Sequence, residues 1–179
     1  AERILGLGVE KVALGSVIFE RPEIITELAE TVGRQSVVVV LDVKKRLFGS
    51  KYDCYSHNGK KNQKLCPFEL AERLENLGAG ELIVNSIDND GLMTGYDLNL
   101  VTKFINIATV PVTAIGGAGS LNDIGTLISR HPIIGAAAGS LFVFKGKYKA
   151  VLINYPTRAE FNKIIPAVNQ VKLETANHS

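Results

Sequence analysis

The chain has 179 residues, 46 % of them hydrophobic and 21 % charged, with a formal net charge of +2; that is the balance of an ordinary globular domain with one sizeable core. Neither the charge nor any block of like residues gives a pull toward nucleic acid or a membrane surface, and no apolar run approaches the ~20 residues that span a bilayer. The two cysteines, Cys54 and Cys66, read as free thiols of a cytoplasmic protein, and His57 between them lacks a fourth ligand at short spacing for zinc, so no metal and no cofactor is expected.

The opening Ala1-Glu2-Arg3-Ile4-Leu5 carries no basic head before an apolar stretch and reads as the middle of a helix, as if the chain began in mid-element. Lys11 to Ser16 is a short buried strand. Pro22 to Glu30 has helical spacing, with proline at a first-turn position and Gly33 beyond its end. Ser36 to Lys44 is a continuous β-branched run, the mark of a parallel strand covered on both faces. Residues 45–66 are polar and lysine-rich and read as an excursion holding a small hairpin. Pro67 to Leu77 is helical and stops at Gly78-Ala79-Gly80. Glu81 to Asp88 is a strand, Tyr96 to Ile107 a helix, and Pro111 to Ile115 a strand running into Gly116-Gly117-Ala118-Gly119. Leu121 to Arg130 is a helix. The last strand lies around Gly135 to Gly139, and 169–179 is a polar tail that frays.

Strands alternating with helices imply parallel strands joined by crossovers. No Gly-x-Gly-x-x-Gly opens the first helix, which disfavours a dinucleotide fold. In a (β/α)₈ barrel the active site lies at the C-terminal ends of the strands, and there the candidate groups fall: Ser16, Asp42, Asp88, Asp90, the glycine cluster and Gly139-Ser140. Asp97 opens a helix and reads as its N-cap. Asp42 precedes no helix, so its carboxylate is expected in the barrel mouth, as a general acid or base. Gly116, Gly117, Gly139 and Ser140 read as a phosphate cup, because bare backbone lets main-chain N–H groups approach an anion and the next helix adds its dipole.

In order and spacing, SVVVVLDVK (residues 36–44), NGKKN (58–62), Gly78-Ala79-Gly80-Glu81, SIDNDG (86–91), Gly95-Tyr96-Asp97 and the GGAG cluster resemble the cyclase subunit of imidazole glycerol phosphate synthase, the HisF family. The resemblance covers residue 1 to about 145 and implies a (β/α)₈ barrel of which 1–168 hold strands four to eight, without the first three βα units. It implies a cytoplasmic enzyme that takes ammonia from a glutaminase partner at the N-terminal barrel face. The substrate is a doubly phosphorylated ribonucleotide, the products imidazole glycerol phosphate and an aminoimidazole carboxamide ribotide. Of two catalytic aspartates only the second, Asp42, is present. Asp90-Gly91, Gly116-Gly117 and Gly139-Ser140 would hold one substrate phosphate, Ser16 would stand for a substrate-contacting threonine, and Asn85 would also contact substrate. Lys11 and Glu81 match two of four charged residues ringing the ammonia entrance. The chain departs from the pattern at Gly15, where the family has asparagine, at Asn85 for threonine and at Asn89 for arginine. Its ending, Leu141 to Gly146 and Ala150 to Pro156, is similar to a paralogous group that delivers ammonia to a nucleotide sugar. Three functions follow: the histidine-pathway cyclase, that amidation paralogue, or a non-catalytic surface that activates a glutaminase.

Overall fold

The computed structural model describes residues 8–49, 51–146 and 150–164. The opening helix and the polar tail expected from sequence lie outside them. Five parallel strands form the frame: β1 (Val12–Leu14), β2 (Val37–Lys45), β5 (Glu81–Ser86), β6 (Val112–Ile115) and β7 (Gly135–Ala136), in spatial order β1-β2-β5-β6-β7. Between them run α1 (Ile24–Val32), α2 (Pro67–Leu77), α3 (Leu98–Ile107) and α4 (Leu121–Arg130). The strand expected over Lys11 to Ser16 is shorter, because the backbone turns at Gly15 into a 3-10 turn, Ser16–Phe19.

Strand β2 is the centre of the core. Val37, Val39, Leu41 and Val43 are buried, and so is Val38 on the other face, as a strand covered on both sides requires. Val37, Val39, Leu41 and Val43 pack with Ile25 and Leu28 of α1, Leu70 and Leu74 of α2, Leu82 and Val84 of β5 and Phe104 of α3. A second cluster, Tyr96, Val101, Ala114, Ala118, Ile124 and Leu127, lies under the glycine loop and fixes its height. The Tyr96 hydroxyl donates to Ala137 O at 2.9 Å, joining the loop after β5 to the end of β7; burial pushes this phenol up to about 12.

The excursion at 45–66 is a hairpin, β3 (Tyr52–Ser56) and β4 (Lys61–Asn62). One edge of β2 is shared: β1 covers Val37–Val39, and β3 runs antiparallel along Asp42–Lys45. The hairpin takes the edge that β1 leaves open when it turns away at Gly15. Tyr52, Cys54 and Ser56 are buried, while Leu47 and Phe48 at the bend before β3 are almost fully exposed. The Arg46 guanidinium bonds Asp53 from Nε at 2.9 Å and from Nη2, and holds that carboxyl below its ordinary value of 3.8. A native carboxyl that binds its proton less readily than the unfolded one gives stability above the ordinary value, lost as the pH falls through the lower native one. Asp53→Asn is therefore expected to flatten the acid limb of a pH-melting series below about pH 4. An unchanged acid limb would show that the pair contributes nothing.

Candidate active site at the strand ends

Asp42 and Asn85 stand opposite each other in the β2–β5 register. The Asn85 Nδ2 donates to Asp42 Oδ1 at 2.9 Å. The other end of the amide, Asn85 Oδ1, is buried with no hydrogen-bond partner among the described residues. That oxygen is free to accept a hydrogen bond from a water or a bound molecule. Asp42, Asn58, Asn85, Ile87 and Asp90 line one cavity of about 370 Å³. A carboxylate here, held by one neutral donor and open to the cavity, can give or take a proton from a bound molecule.

Beside it lies a smaller hollow of about 120 Å³, lined by Asp90, Gly91, Ile115, Gly116, Gly117, Ala118, Ala138, Gly139 and Ser140. Six residues singled out from sequence thus meet in one cup: Asp90, Gly91, Gly116, Gly117, Gly139 and Ser140. Asp90 belongs to both hollows, so the cup and the Asp42 cavity are neighbours. Gly116 and Gly117 have φ of +95° and +106°, a region that L side chains rarely adopt. A Cβ on Gly116 would stand 2.6 Å from Ser86 O, and one on Gly117 2.1 Å from Gly95 O. Here the backbone is bare because no side chain fits. The expected contribution of the α4 dipole is partly spoken for. Asp123 Oδ2 accepts from the N–H groups of Gly119 and Ser120, and the Ser120 hydroxyl caps Asp123 N in return. Negative charge is already seated at that helix start.

At the opposite ends of the same strands, Lys11 Nζ lies 2.5 Å from Glu81 Oε2, and Thr113 Oγ1 donates to Glu81 Oε1 at 2.9 Å. Lys11 is half exposed and Glu81 is 15 % exposed. Glu81 and Asn85 are four residues apart on one strand, about 13 Å at 3.3 Å per residue. The charged pair and the Asp42 cavity therefore mark the two ends of β5.

Residues 1–149 match the family described as Histidine biosynthesis protein. The chain belongs to that family. It is 61 % identical over 165 residues to a protein of Vibrio vulnificus named provisionally as imidazole glycerol phosphate synthase subunit hisF3, covering 92 % of this chain and 64 % of that one. It is 50 % identical over 160 residues to a protein of Leptospira interrogans, provisionally imidazole glycerol phosphate synthase subunit HisF (89 % and 63 % covered). It is 39 % identical over 140 residues to imidazole glycerol phosphate synthase subunit HisF of Lactococcus lactis subsp. cremoris (78 % and 54 %). The chain spans less than two thirds of the length of these relatives. As a partial-length HisF homologue its frame is an arc of a (β/α)₈ barrel, and Asp42 and the cup lie at the C-terminal strand ends, the face on which such barrels in general carry their active sites.

Within this HisF homologue two residues have other duties than the sequence suggests. Ser16 lines neither hollow; its Oγ accepts from the His57 N–H at 2.8 Å. Asp88 Oδ2 accepts from Lys45 N at 2.8 Å and ties the loop after β5 to the end of β2. Asp97 is the N-cap of α3, as expected, accepting from Leu100 N at 2.9 Å. It also accepts from Tyr52 Oη at 3.0 Å. Sequence reasoning quoted Asn58 within a motif and gave it no role; the cavity adds it. Its signal was His-Asn-Gly at a hairpin tip, where asparagine tolerates the left-handed conformation. Among the described residues no group of three or more His, Cys, Asp or Glu could hold a metal, and no helix is long and apolar enough to cross a membrane.

Proposed function

We propose that the protein carrying this chain is the cyclase subunit of imidazole glycerol phosphate synthase. It works in the cytoplasm on a phosphoribulosyl-formimino aminoimidazole carboxamide ribonucleotide and uses ammonia from a glutaminase partner. The observation that carries the reading is the pairing of two hollows through Asp90: a carboxylate cavity beside a cup of bare backbone. A phosphate seated on Gly91, Gly116, Gly117, Gly139 and Ser140 leaves the rest of a phosphorylated sugar chain over Asp42. There Asp42 moves the proton that ring closure requires, oriented by Asn85. Lys11 and Glu81 lie at the far end of the strands, where a glutaminase would dock and ammonia enter.

The deciding assay gives the full-length protein ammonium and the ribulosyl intermediate. Imidazole glycerol phosphate is the expected product, and its absence rejects the reading. Glu81 takes a second test. Glu81→Gln is expected to lower the glutamine-driven rate of the complex several-fold while the rate with free ammonium holds. Lys11 is half in solvent, and the glutamine keeps an oxygen to accept from Thr113, so stability should fall by no more than about 1 kcal/mol. Equal losses with both nitrogen sources would remove Glu81 from the ammonia route.

A further inference from the structure

The tip of the β3–β4 hairpin is held in a left-handed turn at the wall of the Asp42 cavity. His57 and Asn58 are consecutive non-glycine residues with φ of +55° and +57°. A hairpin turn accommodates this geometry, and contacts around the tip fix its placement. The surroundings here are specific. The Ser16 hydroxyl accepts the His57 N–H at 2.8 Å. Ser56 Oγ sits 2.8 Å from His57 Nδ1 and takes a hydrogen bond from Gln63 Nε2 at 2.5 Å. Glu20 Oε1 lies 3.8 Å from His57 Nε2. At Gly59 the tip rests on the cavity wall, for a Cβ there would stand 3.2 Å from Ile87 Cδ1.

This latch delivers Asn58. Its residue lines the same cavity as Asp42, Asn85 and Asp90, and it is exposed. A primary amide offers two donors and an acceptor, and it is the one neutral polar side chain of that lining not already bonded to Asp42. Asparagine suits this φ on turn chemistry alone, so its role rests on where the amide lies, in the wall of the Asp42 cavity.

We propose that Asn58 is a substrate-contacting, specificity-determining residue, its amide pairing with a donor–acceptor edge of the molecule bound over Asp42, and that Ser16 is a positioning residue acting through His57. This rests on the cyclase reading above.

The experiment uses the full-length protein with its glutaminase partner, free ammonium and the ribulosyl intermediate, with calorimetric binding of imidazole glycerol phosphate alongside. Asn58→Gly should lower kcat/KM and product affinity by about tenfold or more, the worth of one substrate hydrogen bond. Its melting temperature should hold or rise, because glycine adopts the left-handed conformation at least as readily. Asn58→Asp should lose more, since it adds a carboxylate beside Asp42 and Asp90 against an anionic substrate. Ser16→Ala should raise KM more than it lowers kcat, and Ser16→Thr, which keeps the hydroxyl, should restore both. Wild-type kinetics and binding in Asn58→Gly would overturn the inference and leave the cyclase reading standing. A wild-type protein that forms no imidazole glycerol phosphate would overturn that reading and this inference with it.

Discussion

Asp42→Asn in the full-length protein is expected to cut ammonia-driven formation of imidazole glycerol phosphate by about 10²- to 10⁴-fold, the usual worth of a positioned general acid–base group. The substitution is nearly isosteric. The new amide keeps an oxygen to accept from Asn85 Nδ2, so the contact made at 2.9 Å survives. Asp42 is only half-buried, at the end of a strand whose core is made by Val37, Val39, Leu41 and Val43. Stability should therefore move by less than about 1 kcal/mol. Phosphate binding in the neighbouring cup should hold, because Asp42 is not among its walls. The result to look for is a split: turnover lost, melting and phosphate affinity kept. Wild-type turnover in this variant would remove Asp42 from the chemistry and would require the proton to move elsewhere in the cavity.

The frame was legible because its signals are local. A β-branched run with no polar interruption made β2, and Pro67 and Gly78 bracketed α2 within the residues the structure gives it. That Gly116, Gly117, Gly139 and Ser140 share one hollow was legible because each follows the end of a neighbouring strand. What the sequence could not supply was pairing across distance. Nothing in residues 11–16 says that β1 ends early and passes its edge of β2 to a hairpin forty residues on. That exchange sets the Ser16 hydroxyl against the His57 N–H and places Asn58 in the wall of the Asp42 cavity. The helix dipole behind the glycines was overvalued. Ser120 and Asp123 form a capping box at the start of α4, with Asp123 Oδ2 taking the Gly119 and Ser120 N–H groups. Motif reading placed the candidate residues at one end of the strands, where the structure brings them together, while their individual contacts depended on residues far apart in sequence.

Gly117→Ala is the second large effect expected, and unlike Asp42→Asn it should strike stability and binding together. The new Cβ would stand 2.1 Å from Gly95 O and 2.8 Å from Gly95 C, where real carbon atoms do not come. Its nearest neighbours are backbone, with Asn89 Cβ next at 3.0 Å, and none is the end of a flexible side chain. The two loops are also joined by a hydrogen bond from Gly95 N to Gly117 O at 2.8 Å, so they cannot part without losing it. The φ of +106° adds strain of its own. A loss of about 2–4 kcal/mol is expected, which lowers the melting temperature by roughly 5–15 °C for a chain of this size. The cup shares these atoms, so affinity for inorganic phosphate, read by calorimetry below the melting point, should fall as well. Gly139→Ala is the control. That residue lines the same cup at φ −109°, and its Cβ would meet nothing within 4 Å. Its melting should stay within about 0.5 kcal/mol of wild type. If Gly117→Ala melted like Gly139→Ala, the close approach of the two loops would be wrong, and with it the account of why the cup is bare.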